Sequence, residues 1–495
     1  MKNKIKLLFS AFLLVLLVVS CDKLERFPTN QIERSQSFET LADAKSWNNG
    51  MYARLRGNLY GSRMFTLDIQ ADQLNATLTY GNRNGSPHRW TEFLANTGIL
   101  QTVWLGYYRG IADVNVAING FKNIKPSDAS ETAELSRYEG EAHFVRALYY
   151  HNLVVRYGKM YNPSSAATDL GVPIYLDFDV TVFGERKSVK AVYDQVLSDI
   201  SVAKSKLASV AGTAGATRLS IDAVKALEAR VKFYMQDWKG AKTIADELIG
   251  SGKYPLIKTA AGLKAMWHTD SHQEVITALK VSNPNELPNV NIIYLGFISA
   301  TKNFAPDFLP SQWVVDKYDA NDFRKNVYFE QKVVEQNAVT YPGVWAVNKY
   351  PGNPALYSGN TNYAHSPILF RIAEMYLISA ESALNIPGAD ALTPLNALRT
   401  ARNLTALAGI TGPVLTDAVR DERFRELAFE GFRLDDLRRW NLGFTRRLPQ
   451  NTTLINTGSD FDAMVRTASD PKFTWGIPTL EITANPNIGQ QNAGW

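Results

Sequence analysis

Between residues 137 and 157 apolar side chains recur at Ala142, Val145, Tyr149 and Leu153, three and four positions apart, with polar residues between them. That spacing gathers them on one face and predicts an amphipathic helix. Gly158 stands at its end, and Gly171-Val172-Pro173-Ile174-Tyr175 then reads as an extended piece. A second helix is predicted from about Val192 to Leu207. The clearest helical pair runs from 221 to 250, where Ala226, Ala229, Val231 and Phe233 precede Asp237-Trp238 and then Ala241, Ala245 and Leu248. Small residues at these positions let two antiparallel helices pack closely.

A comparable pair occupies 368 to 402, from Ile368 through Met375 to Leu395 and Leu398, and a last one lies near 416 to 440. About four such pairs are predicted, and their spacing resembles a tetratricopeptide repeat of about 34 residues, whose stacked helix pairs share a continuous core. The expected fold class is therefore mainly α: a tetratricopeptide-like helical repeat scaffold, with helical pairs about 137–250 and 368–440. Two long stretches, about 57–98 and 255–365, lack helical period and are rich in Gly, Asn, Pro and aromatic residues. Loops this long are usually functional or disordered, and their aromatic content argues against disorder. They are read as an irregular, loop-rich binding half.

The first residues follow another pattern. Lys2, Lys4 and Lys6 precede an apolar stretch from Leu7 to Val19 interrupted by Ser10. This is the design of a secretory signal peptide, and it falls short of the about 20 apolar residues that span a bilayer. It ends in Val18-Val19-Ser20-Cys21, which looks like a lipobox. Residues 1–20 are expected to be removed and Cys21 to carry lipid, with 21–30 a short tether and 31–495 a single body. Cys21 is the only cysteine, so no intramolecular disulfide competes for its thiol. Several acyl chains hold a protein on a membrane where one does so only marginally.

Charge narrows the partners. With 53 basic and 48 acidic residues the net charge is +5, and no basic run exceeds pairs such as Arg438-Arg439 and Arg446-Arg447, so nucleic acid is not indicated. Catalytic signatures are missing too: there is no Gly-x-Ser-x-Gly elbow, phosphate loop, Gly-x-Gly-x-x-Gly or His-Glu-x-x-His. His268 and His272 stand four apart, yet Thr269-Asp270-Ser271 is turn-like and no third metal ligand is evident. Asp435-Asp436 are helix neighbours pointing about 100° apart, unlike a glycosidase pair, and read as a solvated face. No catalytic residue, cofactor or metal is assigned. A surface glycosidase or peptidase, and a purely adhesive surface protein, are the alternatives.

Three segments carry a family resemblance. Glu422-Arg423-Phe424-Arg425-Glu426-Leu427-Ala428-Phe429-Glu430-Gly431-Phe432-Arg433 runs into Asp436-Leu437-Arg438-Arg439-Trp440. Glu141 to Tyr150 is followed by Gly171-Val172-Pro173. Trp475-Gly476-Ile477-Pro478 is followed by Glu481, Asn485-Pro486 and Gln490-Gln491-Asn492. Together they resemble the RagB/SusD family of nutrient-binding outer-membrane lipoproteins. The resemblance implies a helical scaffold supporting a loop-rich binding half. It also implies a lipid-anchored protein at the outer membrane, facing outwards, that captures oligosaccharides or oligopeptides. The implied partner is a SusC/RagA-like TonB-dependent transporter. Arg438, Arg439 and Trp440 are read as a helix end with packed stems, and Trp313 as scaffold.

The ligand site is expected in a cleft between the 68–90 and 290–345 stretches. Asp72, Asn75, Asn82 and Arg83 are the polar candidates, and Tyr80, Trp90, Tyr294, Tyr341 and Trp345 the aromatic ones. The mix of hydrogen-bonding side chains with rings in Asp68–Asn75, Tyr80–Asn84, Ser311–Asp316 and Asp322–Lys325 looks more like the peptide-binding RagB branch than the starch-binding SusD branch.

Overall fold

The computed structural model describes residues 37–283, 286, 293–357 and 363–495. The signal segment, Cys21 and the tether lie outside the described residues. Helices dominate, and their starts are set by side-chain caps. Thr40 and Asp43 form a reciprocal capping box ahead of Leu41–Leu59. Asp128 accepts from the Glu131 amide ahead of Ala129–Tyr157, and Ser188, Ser220 and Asp237 cap Val189–Lys206, Ile221–Tyr234 and Trp238–Gly250 in the same way. Each cap satisfies an amide that has no partner in the first turn.

The long helix Ala129–Tyr157 packs on Val189–Lys206, Ile221–Tyr234 packs on Trp238–Gly250, and Ile372–Ala383 packs on both Trp238–Gly250 and Leu392–Ala401. Stacked helix pairs of this kind make the tetratricopeptide-like scaffold. Its core runs through residues such as Leu148, Val154, Leu227, Ala245 and Ile378. Gly110 lets the helix Gly98–Phe121 approach this core, because a Cβ there would sit 2.4 Å from the Tyr149 ring. That helix has no counterpart in the sequence reading, although Leu100, Val103, Trp104, Tyr107, Ile111 and Val114, which it buries, recur at three- and four-residue spacing.

The stretches read as irregular hold more regular structure than expected. Residues 57–98 contain the helices Ser62–Gln70 and Gly85–Arg89 and the short strand Leu74–Ala76. Residues 255–365 contain a long hairpin, Phe329–Gln336 with Val339–Val347. Asn337 and Ala338 close it, both at positive φ, as the two-residue turns that match strand twist require. Leu74–Ala76 pairs antiparallel with Phe308–Pro310, Asn75 opposite Leu309, so the two candidate stretches are joined by a ladder. A second core lies here, built of Phe65, Trp267, Tyr294, Phe308, Val314, Tyr328 and Phe429.

Buried ion pairs tie the two cores together. Glu426, fully buried, accepts from Arg324, Arg371 and Arg402; Arg402 also reaches Glu274 at 2.9 Å, and Arg371 shares Glu430 with Lys349. Asp435 and Asp436 are buried, against the expectation of a solvated face: Asp436 accepts from Arg423 at 2.8 Å and from Arg439, while Asp435 lies 3.5 Å from Arg438. The motif's arginines needed counter-charges in the interior, and these two carboxylates supply them.

Candidate functional site

The candidates between 68 and 90 fall into three situations. Trp90 is interior: its indole is 2% exposed, meets Phe473 edge-on at 4.9 Å and donates to the Gln70 carbonyl at 2.7 Å. A ring held this way on every side is packing, which corrects its assignment to the ligand. Asn75 is equally buried and accepts from the Ser311 hydroxyl at 2.7 Å, stitching the ladder. Tyr80, Asn82 and Arg83 belong to a local cluster. Arg89 donates to both the Tyr80 hydroxyl and the Asn82 side-chain oxygen at 2.6 Å, and Arg83 forms a two-pronged pair with Asp307. Burial of Asp307 raises its pKa, and the Arg83 charge opposes that rise.

From the other stretch, Tyr294 is 2% exposed and lies in the second core against Phe65 and Phe429, again a correction. Tyr341 is half-buried over Leu309, Val334 and Leu454. Trp345, also half-buried, is fixed through its backbone: its amide donates to Gln450 Oε1 at 2.9 Å and its carbonyl accepts from Gln450 Nε2. His268 and His272, the pair considered for metal, have separate neighbours: His268 Nε2 sits 2.9 Å from the Asn348 carbonyl and His272 Nε2 3.9 Å from Asp270. Among the described residues no three His, Cys, Asp or Glu side chains gather to hold a metal ion.

Asp72 leads elsewhere. At the Leu74–Pro310 end of the ladder the surface opens into a groove of about 610 Å³, and Asp72 lies on its wall with Trp313, Phe424, Arg433 and Trp440. Six segments build it: the turn after Ser62–Gln70, the short helix Gln312–Asp316, the helix Gly412–Glu426, the helix Arg433–Arg439 with Trp440 at its end, and the strands Phe444–Thr445 and Val465–Arg466.

Aromatic stacking forms the floor. Trp313 and Phe424 lie nearly parallel with centroids 5.3 Å apart, and the Arg433 guanidinium covers Phe424 at 4.8 Å. Trp440 is held by its Nε1–H donating to Glu381 at 2.7 Å. Charges on the walls pair in part: Lys317 reaches both Asp421 oxygens at 2.9 Å, and Arg433 reaches both Asp72 oxygens at 2.9 and 2.7 Å. Burial disfavours the Arg433 charge, and Asp72 more than offsets this, raising its pKa. Arg420 lies over Trp440 at 5.2 Å and Arg447 over Trp313 at 5.7 Å; neither has an acidic partner within ion-pair distance among the described residues.

Sequence reasoning missed the groove in part because Phe424, Arg433 and Trp440 belong to the motif 422–440, whose amphipathic spacing already explained it as scaffold. One signal was present: Arg446-Arg447 lies in an extended piece, where neighbours face opposite ways. Arg446 is buried under the Ile69, Gln70 and Ala71 carbonyls at the end of a helix, while Arg447 is exposed toward the groove.

Comparison with known proteins agrees with this architecture. A family model described as the SusD family matches residues 233–495, and one described as starch-binding, associating with outer membrane, matches residues 24–233. The SusD-like protein P38 of Formosa agariphila is 26% identical over 479 residues, covering 85% of this chain and 88% of its own. A SusD superfamily protein of Bacteroides thetaiotaomicron superposes with a TM-score of 0.77 at 26% identity, covering 92% of this chain and 99% of that one. A SusD-like carbohydrate binding protein of Bacteroides vulgatus shares the fold, with a TM-score of 0.76 at 20% identity over 91% of this chain and 98% of its own. With one family model covering more than half of the sequence and the helical scaffold superposing over nearly its full length, the chain belongs to the SusD family.

Proposed function

We propose that this protein captures an oligosaccharide in the Trp313–Trp440 groove and delivers it to a TonB-dependent outer-membrane transporter, while Cys21 carries the lipid that anchors it facing outwards. The observation that carries the reading is the groove: an open cavity of about 610 Å³ with an aromatic floor and charged walls, within the size range of ligand sites. Relatives described as carbohydrate or sugar binding support an oligosaccharide over the peptide that the sequence favours. Much of what favoured a peptide is engaged internally. Asp68 accepts from the Gly431 amide, Gln70 bridges Trp475 and the Lys472 carbonyl, and Asp322 pairs with Arg324.

A binding role is supported by relatives that are themselves described as binding proteins. An oligosaccharide titration read by calorimetry tests capture. Trp440→Ala should weaken saturable binding at least about tenfold, as truncating an aromatic anchor does. Unchanged affinity in that variant removes the groove from the reading. Copurification from mild detergent tests delivery, with a large β-barrel transporter expected in the eluate. For the anchor, Cys21→Ala should release folded protein from membranes in cells lacking the partner; retention there would refute lipidation at Cys21.

A further inference from the structure

We infer that the groove selects an oligosaccharide bearing negative charge, either carboxylate or sulfate, gripped by Arg420 and Arg447. The inference rests on the capture reading for the sugar and on the groove's own charges for the anion. Lys317 and Arg433 are cancelled by Asp421 and Asp72. What remains on the walls is one exposed acid, Asp417, facing two arginines without an acidic partner among the described residues, with Arg466 beyond them held 3.4 Å from Asp470. The balance of the lining is therefore positive.

Both free guanidiniums are already positioned. Each lies over an indole, Arg420 on Trp440 and Arg447 on Trp313, which restrains the plane and leaves its N–H donors at the edges. A planar, restrained fork of this kind suits two oxygens of one carboxylate or sulfate, and less conformational freedom is lost per bond formed. Between and beside the arginines the lip is apolar: Leu442 is 39% and Val465 60% exposed. Alternating apolar and cationic contacts match a pyranose chain, whose C–H faces are apolar and whose acidic substituents project from the ring edge. A neutral sugar accepts N–H bonds through its hydroxyls but brings no charge to balance the guanidiniums it partly desolvates.

The test uses the full chain purified in mild detergent and titrated with tetragalacturonate, a sulfated galactan tetrasaccharide, maltotetraose and hexaglutamate. At least one of the charged sugars is expected to bind, with affinity falling as salt rises, and the stronger of the two tells carboxylate from sulfate. Arg420→Gln and Arg447→Gln should each weaken it about tenfold, equivalent to about 1.4 kcal/mol. Their melting temperatures should stay near that of the unsubstituted protein, since both side chains reach solvent. Maltotetraose binding at full strength, indifferent to both arginine variants but lost in Trp440→Ala, would overturn the charge and leave capture standing. Hexaglutamate binding as tightly as the sugars would overturn the ligand class. Silence from every probe would overturn the inference, while copurification with the transporter would still decide the delivery reading separately.

Discussion

Asp72 and Arg433 are 361 residues apart in the chain and meet face to face, carboxylate to guanidinium, with Nε 2.9 Å from one oxygen and Nη2 2.7 Å from the other. The pair fastens the turn after Ser62–Gln70 to the start of the helix Arg433–Arg439 and so fixes the wall of the groove. Asp72→Asn keeps the shape and removes the charge. It is expected to cost about 3 kcal/mol, the low end for breaking a largely buried pair, by urea unfolding. Asp72→Asn combined with Arg433→Met should recover part of that loss; a loss under about 0.5 kcal/mol in the single variant would mean the pair fixes little.

Trp90→Ala separates packing from recognition. The ring is wedged between Phe444 and Phe473, with the Arg466 guanidinium 5.2 Å from its centroid. Truncation should destabilise by about 3–5 kcal/mol, as for other large core aromatics. Oligosaccharide affinity of the folded fraction should be unchanged. A variant that melts normally but binds poorly would return Trp90 to the ligand site.

The helical scaffold was legible because amphipathic spacing reports burial directly. Ala226, Ala229, Val231 and Leu248 face the core as their spacing implied. The site was less legible, for a physical reason. Composition marks where rings are plentiful, whereas exposure decides which of them meet a ligand, and exposure depends on long-range partners. Trp90 and Tyr294 look like loop aromatics until Phe473 and Phe429, from distant segments, cover them. Conversely, Trp440 sits in a motif whose period accounts for it as scaffold, and only the approach of the Phe444–Thr445 and Val465–Arg466 strands turns that surface into a groove.

Asp68 offers a pH readout of the interior. Burial is the chief cause of its pKa rising from 3.8 to about 8, with the Gly431 amide and the Lys349 charge pulling the other way. Its folded pKa thus exceeds its unfolded one. The favourable term is fully present below about pH 3.8 and is lost as the pH rises towards about 8. Asp68→Asn can still accept the Gly431 hydrogen bond but cannot ionise. Relative to the unsubstituted protein it should gain stability between those two values, by at least the about 1.4 kcal/mol that one pK unit represents. Melting curves at pH 5 and pH 8 decide it; a constant offset between the two proteins would place Asp68 in the ionised form throughout.

Glu426 is the position where a single atom change should be felt furthest. Its carboxylate serves three buried arginines: Oε2 lies 2.8 Å from Arg324 Nη1 and 3.0 Å from Arg402 Nε, and Oε1 takes Arg371 and Arg402. Desolvation alone would raise its pKa, yet the arginines together hold it well below the ordinary carboxylate range. The arginines come from different parts of the fold. Arg324 precedes the hairpin, Arg371 ends a strand paired with Val275–Ala278, and Arg402 follows the helix Leu392–Ala401. Glu426→Gln keeps volume and one acceptor but leaves positive charge unbalanced and presents an amide donor to guanidinium donors. Breaking one partner from a buried pair costs about 3–5 kcal/mol, and here three partners are affected, so the loss should reach at least the top of that range. The same network joins the repeat scaffold to the loop-rich half, so hydrogen exchange in the hairpin Phe329–Val347 should rise along with the fall in stability. Faster exchange spread evenly over the chain would show that Glu426 supports global stability without specifically holding the two halves together.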